Sequence, residues 1–263
     1  MSAVRPARPG DEAALRQIWK VCFGDDDAYI DGFFTALYRP ENALVLTGET
    51  ADAVGMAHLL PLGTLVDGTG TAQGPCAVTY ALAVLPAYRG RGGGGALAAA
   101  AAALARVRGA VPLICPAEPS LFAYYADRTD YVTAFFAAEK RFPACPGRTE
   151  TLGADEYLRR RETLLAGRAH IAFSAPVMAY EASLCRRSGG GLFAVPGGVA
   201  AMESGMLKEL LVPAGAEGAA AGAVASALGL PSVRARYPSA ETPFAMAARG
   251  AVSGAAWFGF AFD

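Results

Sequence analysis

The stretch Tyr88-Arg89-Gly90-Arg91-Gly92-Gly93-Gly94-Gly95 is the part of this 263-residue chain best suited to chemistry. An apolar run, Val78 to Val84, precedes it and reads as a strand that Pro86 ends. Ala96 to Arg108 follows as an almost pure run of helix formers, closed by Gly109. A glycine loop entering a helix aims several free backbone N–H groups at one point, where the positive end of the helix dipole also lies. Anions bind at such a point, and the missing side chains let a pyrophosphate approach the backbone. Arg89 and Arg91 add fixed positive charge. The loop therefore reads as a phosphate cradle, with the N–H groups of Arg91, Gly92, Gly93, Gly94 and Gly95 as donors.

Two cofactor classes compete for such a cradle. Gly90-x-Gly92-x-x-Gly95 matches the dinucleotide fingerprint, with Glu118 near the end of the next apolar strand. In that fold, however, the first glycine follows its strand directly, whereas here Leu85 to Arg89 intervene. The longer phrase Leu82 to Gly94 resembles the acetyl-CoA signature of the GCN5-related N-acetyltransferases (GNAT). Arg89, Gly92 and Gly94 meet its Gln/Arg-x-x-Gly-x-Gly/Ala core, and Val84 and Pro86 meet its Val-x-Pro strand ending. The resemblance implies an enzyme that moves an acetyl group from acetyl-CoA directly to an amine. The alternatives are a sensor that binds acetyl-CoA without turnover and a Rossmann-type oxidoreductase.

The elements around the loop agree with the resemblance. A short strand at Val4–Ala7 precedes a helix with Leu15, Ile18, Trp19 and Cys22 at helical spacing, and the acidic trio Asp25-Asp26-Asp27 caps a second helix. Strands follow at Asn42–Thr47 and Val54–Leu60, the second able to continue through Leu62–Val66, and at Val78–Val84. After the long helix come a strand at Val111–Cys115, a short helix at Ser120–Ala126 and a strand at Val132–Glu139. This mixed α/β order is that of a GNAT core, an α+β fold. Beyond Pro143-Ala144-Cys145-Pro146-Gly147 the pattern restarts with two helices, three strands, a helix and further strands, the last at Ala256–Phe262. Residues 1–143 are thus expected to form the acetyl-CoA-binding domain and residues 148–263 a degenerate copy of it. The copy's turn, Leu210 to Gly218, lacks arginine and carries Glu217, so it should repel a pyrophosphate.

This two-part layout resembles the Eis-type bacterial acetyltransferases, and Pro116 to Tyr125 resembles a local segment of that group. The group's third, sterol-carrier-like domain has no room in a chain ending at Asp263. The chain also departs from the family where Ala126 to Tyr131 follow Tyr125, since the usual glycine is missing. By resemblance, Leu82, Ala83 and Val84 splay from the neighbouring strand to pair with the pantetheine arm, with Arg89 and Gly90 in the loop and Ala117 and Glu118 flanking the cofactor. Tyr125, or failing that Tyr124, would protonate the leaving thiolate, because a phenol stays protonated at neutral pH. The base stays open among Asp26, Asp27, Glu118, His58 and the terminal carboxylate at Asp263. Phe23, Tyr29, Phe33 and Phe34 could line an acceptor pocket or simply fill a core.

Composition narrows the partners. A net charge of −1 gives no basic field for nucleic acid or an anionic membrane surface. The alanine tract is too short to span a bilayer. Five scattered cysteines without a CxxC pair, and no signal peptide, point to reduced thiols in the cytoplasm. Two distant histidines, His58 and His170, leave no expectation of a metal site. The expected partner is a small-molecule or peptide amine.

Overall fold

The computed structural model describes residues 3–260. Strand β1 (Ala3–Pro6) leads into helices α1 (Glu12–Phe23) and α2 (Asp27–Ala36), followed by β2 (Ala43–Thr47), β3 (Ala53–Val66) and β4 (Ala72–Val84). Helix α1 buries Leu15, Ile18 and Trp19, the i, i+3, i+4 stripe that makes it amphipathic. The glycine loop then enters α3 (Gly93–Val107), followed by β5 (Val111–Ile114), α4 (Pro119–Ala126) and β6 (Tyr131–Pro143). Helix α3 lays Leu97, Ala98, Ala101, Ala102 and Ala105 on the sheet, where alanine permits close approach. Gly109, at φ 70°, ends it as its position in sequence predicts.

The second half repeats the series: β7 (Glu150–Thr151), α5 (Ala154–Leu164), β8 (His170–Phe173), α6 (Ala175–Arg187), β9 (Gly191–Val195), β10 (Gly198–Glu203), β11 (Met206–Leu211), α7 (Glu217–Ala227), β12 (Ser232–Pro238) and β13 (Thr242–Ala248). Twelve of the described strands form one continuous sheet in the order β1-β2-β3-β4-β5-β13-β6-β12-β11-β10-β9-β7. Read from its two ends, the order is nearly palindromic: β1 answers β7, β2 answers β9, β3 answers β10, β4 answers β11 and β5 answers β12. The two halves meet in the middle by exchange. Strand β13 from the second half lies between β5 and β6 of the first, and β6 continues past Ala137 to pair with β12.

Leu62–Val66 does continue the strand begun at Val54, giving β3, because Pro61 falls where its neighbour changes from β2, paired over Ala53–His58, to β8, paired over Gly63–Val66. A residue without an N–H fits that gap. The expected C-terminal strand is reduced, among the described residues, to single bridges at Ala256 and Trp257. Left-handed Gly254 (φ 75°) and Gly259 (φ 92°) prevent extension on either side. The segment still docks on both halves. Ala256 exchanges backbone hydrogen bonds with Ala134 and Phe136, and Trp257 with Ala169 and Ile171. Below it, the fully buried Glu209 accepts from Trp257 Nε1 (2.7 Å), Tyr157 Oη (2.8 Å) and Arg161 Nε (3.0 Å), so a charge removed from water is neutralised by paired donors.

Candidate functional site: two cavities at the splay of β4 and β5

Strands β4 and β5 run parallel from Cys76↔Val111 to Thr79↔Ile114, and no ladder pair joins them beyond that point. A bulge explains the parting. Between Met56↔Ala83 and His58↔Tyr80 the register of β3 against β4 slips by one residue, and Ala81 takes φ 48°, a conformation rare for a side chain with a Cβ. The bulge swings Leu82–Val84 away from β5 and opens the sheet.

At the end of β4 a cavity of about 270 Å³ is lined by Val84, Tyr88, Arg89, Gly90, Gly92, Gly93 and Gly94, with Tyr124 and Arg128. Gly90 (φ 77°) and Gly92 (φ 82°) hold the left-handed backbone that delivers the chain into α3, and Gly92 is its N-cap. A Cβ on Gly93 would stand 2.5 Å from Leu46, and one on Gly94 would stand 3.2 Å from the Tyr124 hydroxyl. The loop is bare because neighbours press on it from both sides. Arg89 Nε donates to the Val84 carbonyl at 2.9 Å, which tethers its guanidinium at the cavity. Arg91 packs over Tyr88 and does not line the cavity; Gly95 is buried in the first turn of α3. Arg128, which the sequence reading missed, stacks 4.0 Å over the Tyr124 ring and donates to the Tyr124 carbonyl. The basic residue in the unusual Ala126–Tyr131 segment was the available signal. A bare helix N-terminus with two arginines fits a pyrophosphate.

A second cavity, of about 500 Å³, lies in the splay itself and is lined by Leu82, Ala117, Tyr125, Trp19, Tyr29, Tyr80 and neighbours. Leu82 thus faces the gap, Ala83 is buried and Val84 borders the phosphate-sized cavity. The adjacent tyrosines divide the work: Tyr124 reaches the glycine loop, whereas Tyr125 enters the larger cavity. Burial pushes the Tyr125 phenol up to about 12. In place of the missing glycine, the Thr129 hydroxyl caps the Tyr125 carbonyl at 2.7 Å and lets α4 end there.

The proposed bases separate. Asp26 accepts from the Tyr29 N–H at 2.7 Å as the N-cap of α2, and Asp27 pairs with Lys20. Glu118 lies in a neighbouring cavity with Glu139 and Arg236. Asp263 lies outside the described residues. Asp25, which the sequence reading treated only as part of a cap, lines the large cavity and accepts from Trp19 Nε1 at 2.7 Å. Of the aromatic residues considered for an acceptor pocket, Phe23 and Tyr29 line this cavity, while Phe33 and Phe34 are buried in the core.

His58 is core. The rings of Trp19, Phe33, Phe34 and Tyr38 surround it at 5.1–5.9 Å, and burial pushes its pKa from 6.5 down to about 3. Between those values the unfolded chain takes up a proton that the folded chain refuses, so stability falls as pH drops through that window. Acidification from neutral to about pH 5 should cost roughly 2 kcal/mol through this residue. Urea midpoints at the two pH values are expected to converge in His58→Phe; an unchanged difference would reject the assignment.

In the second half, the equivalent turn holds its own anion. Glu217 at the start of α7 accepts from the Gly215 N–H at 2.9 Å and borders a cavity of about 230 Å³ with Arg168 and Tyr237.

Residues 12–125 match the model of the acetyltransferase (GNAT) family. This part of the chain is similar to a GNAT acetyltransferase domain. The fold likeness reaches further than the GNAT match. A GCN5-related N-acetyltransferase from Kribbella flavida superposes with a TM-score of 0.68 at 14% identity, covering 94% of this chain and 70% of that one. One from Anabaena variabilis gives 0.66 at 12% identity, with 94% and 72% covered. Eis1 from Mycobacterium abscessus gives 0.62 at 14% identity, with 90% and 66% covered. At these identities the likeness is one of GNAT fold. Among curated proteins none matches the sequence. No described helix is long and apolar enough to cross a membrane.

Proposed function

We propose that the chain is an N-acetyltransferase that transfers acetyl from acetyl-CoA directly to an amine, small-molecule or peptide, in the cytoplasm, where its five free thiols stay reduced. The observation that carries this reading is a bare, arginine-flanked helix N-terminus beside an apolar cavity holding a buried phenol, with Val84 lining the first and Leu82 the second at the bulged end of β4. Acetyl-CoA supplies a thioester whose C–S bond breaks as the C–N bond to the acceptor forms. The N–H groups at the start of α3, with Arg89 and Arg128, hold the phosphates. Leu82–Val84 and Ala117 border the path of the arm between the two cavities, and Glu118 stands beyond Ala117. Tyr125 keeps its proton at Oη and delivers it to the departing sulfur. A phenol at about 12 would be a poor acid toward an exposed thiol near 8.5. Loss of water around the bound sulfur raises its basicity as well, in the same direction as burial raises the Cys76 thiol, which brings donor and acceptor closer. The acceptor arrives as an ammonium and loses two protons in all. One replaces the proton given by Tyr125 and one leaves to water, so the products are an amide, a thiol and one proton.

Tyr125→Phe should keep acetyl-CoA affinity and lower turnover roughly tenfold to a thousandfold, as loss of a general acid does. Thiol release with a panel of amines, beside calorimetric titration of acetyl-CoA, measures both. Full activity in Tyr125→Phe with loss in Tyr124→Phe would reassign the acid. Binding without thiol release from any amine would favour the sensor reading.

A further inference from the structure

The large cavity carries information about the acceptor. Its walls are aromatic and aliphatic: Trp19, Tyr29, Tyr80, Leu121 and Phe258 surround it, and Phe23, 47% exposed, stands at its edge. Asp25 is the one ionised side chain among the described lining residues. The Trp19 indole fixes one oxygen of that carboxylate at 2.7 Å, which sets its position and leaves the second oxygen for a ligand. The Tyr29 and Tyr80 hydroxyls bond each other at 3.1 Å, so the two phenols are already engaged as polar groups and offer ring surface. Glu181 of α6 and Glu203 of β10 add negative potential at Tyr29 from the second half but do not line the cavity, so among the described lining residues Asp25 alone can pair an ammonium directly. Aromatic faces and a single carboxylate together attract one cation.

We propose that the acceptor is a primary monoamine on an apolar body, with its ammonium anchored by Asp25. This rests on the reading of the cleft as an N-acetyltransferase site. One carboxylate neutralises one ammonium, and each further ammonium drawn into apolar walls would go unpaired at heavy cost. Size agrees. A cavity of about 150 Å³ accommodates benzene. The 500 Å³ here is more than three times that, which leaves space for such a body beside the thioester end. Asp25 is thus a specificity-determining residue, distinct from Tyr125, which serves the leaving group.

The test uses the full chain and three probes: 2-phenylethylamine, the uncharged 2-phenylethanol, and the polycation spermidine. Binding is read without acetyl-CoA by Trp19 fluorescence in a Trp257→Phe background and by calorimetry; acetyl transfer is read by thiol release. We expect 2-phenylethylamine to bind at least tenfold more tightly than either comparison probe and to give at least a tenfold higher kcat/KM than spermidine. Asp25→Asn should raise its Kd and KM at least tenfold and change kcat far less, with Asp25→Glu restoring part of the affinity. Equal or better use of spermidine, or a Kd unchanged in a folded Asp25→Asn, would overturn the proposal while leaving the transferase reading intact. Asp25-dependent binding of 2-phenylethylamine without thiol release from any amine would instead uphold the binding proposal and remove the transferase reading.

Discussion

A chain cut after Pro146 is expected to lose the fold of its first half, not merely its partner. The cut removes β13, which pairs with β5 at Leu113 and Ile114 and with β6 from Tyr131 to Ala137. It also removes the Ala256–Phe260 segment, whose Phe258 packs on Phe135 at 5.1 Å between ring centres. Leu113, Tyr131 and Phe135, all at most 1% exposed in the whole chain, would then border an open edge. Uncovering three such side chains at roughly 1.5–3 kcal/mol each reaches the low end of a domain's total stability of about 5–15 kcal/mol. Two bare strand edges, β5 and β6, would in addition invite pairing with other chains. The fragment should bind a hydrophobic dye, melt without cooperativity and aggregate. A monomeric fragment with a sharp melting transition and undiminished thiol release would contradict this and make the first half self-sufficient.

The second large effect is expected at the glycine loop. Replacing Gly92 and Gly94 together with valine should abolish stabilisation by acetyl-CoA. Gly92 sits at φ 82°, which a β-branched residue does not tolerate, and a side chain at Gly94 would press on the Tyr124 hydroxyl, already within 3.2 Å of a lone Cβ. In the wild type, ligand at a hundred times its Kd adds about 2.7 kcal/mol to stability, which a thermal melt resolves. The double variant should melt at one temperature with or without acetyl-CoA, while its circular dichroism stays native. Retained stabilisation would remove the cradle from this loop. A shift with NAD in the wild type, and none with CoA, would revive the dinucleotide alternative.

What the sequence revealed and what it concealed divide along physical lines. Gly90 and Gly92 were legible because a left-handed backbone leaves few residue choices, and the cap at Asp26 because capping is local. Asp25 was hidden in plain view. Its neighbours cap a helix, and only the turn between α1 and α2 brings its carboxylate to the Trp19 indole and the cavity. Arg128 was hidden for a similar reason: its stacking on Tyr124, four residues back, is local, but it reaches the glycine-loop cavity only once α4 is set against α3. The repetition of elements across the two halves could be read from periodicity. The exchange of β13 and β6 could not, because period-2 patterning states that a segment is a buried strand and not which strand it will join.

That exchange also sets an order of events. Cys115, just past β5, donates to the carbonyl of Phe244, 129 residues away, and the sheet between them closes only when β13 inserts. Contacts of such high sequence separation are slow to form, because loop-closure entropy must be met before the pairing rewards it. During synthesis, every element of the first half leaves the ribosome well before the strand that completes its sheet. The nascent chain must therefore wait with the β5 and β6 edges open, and anything that slows elongation between Gly147 and Thr242 lengthens that exposure.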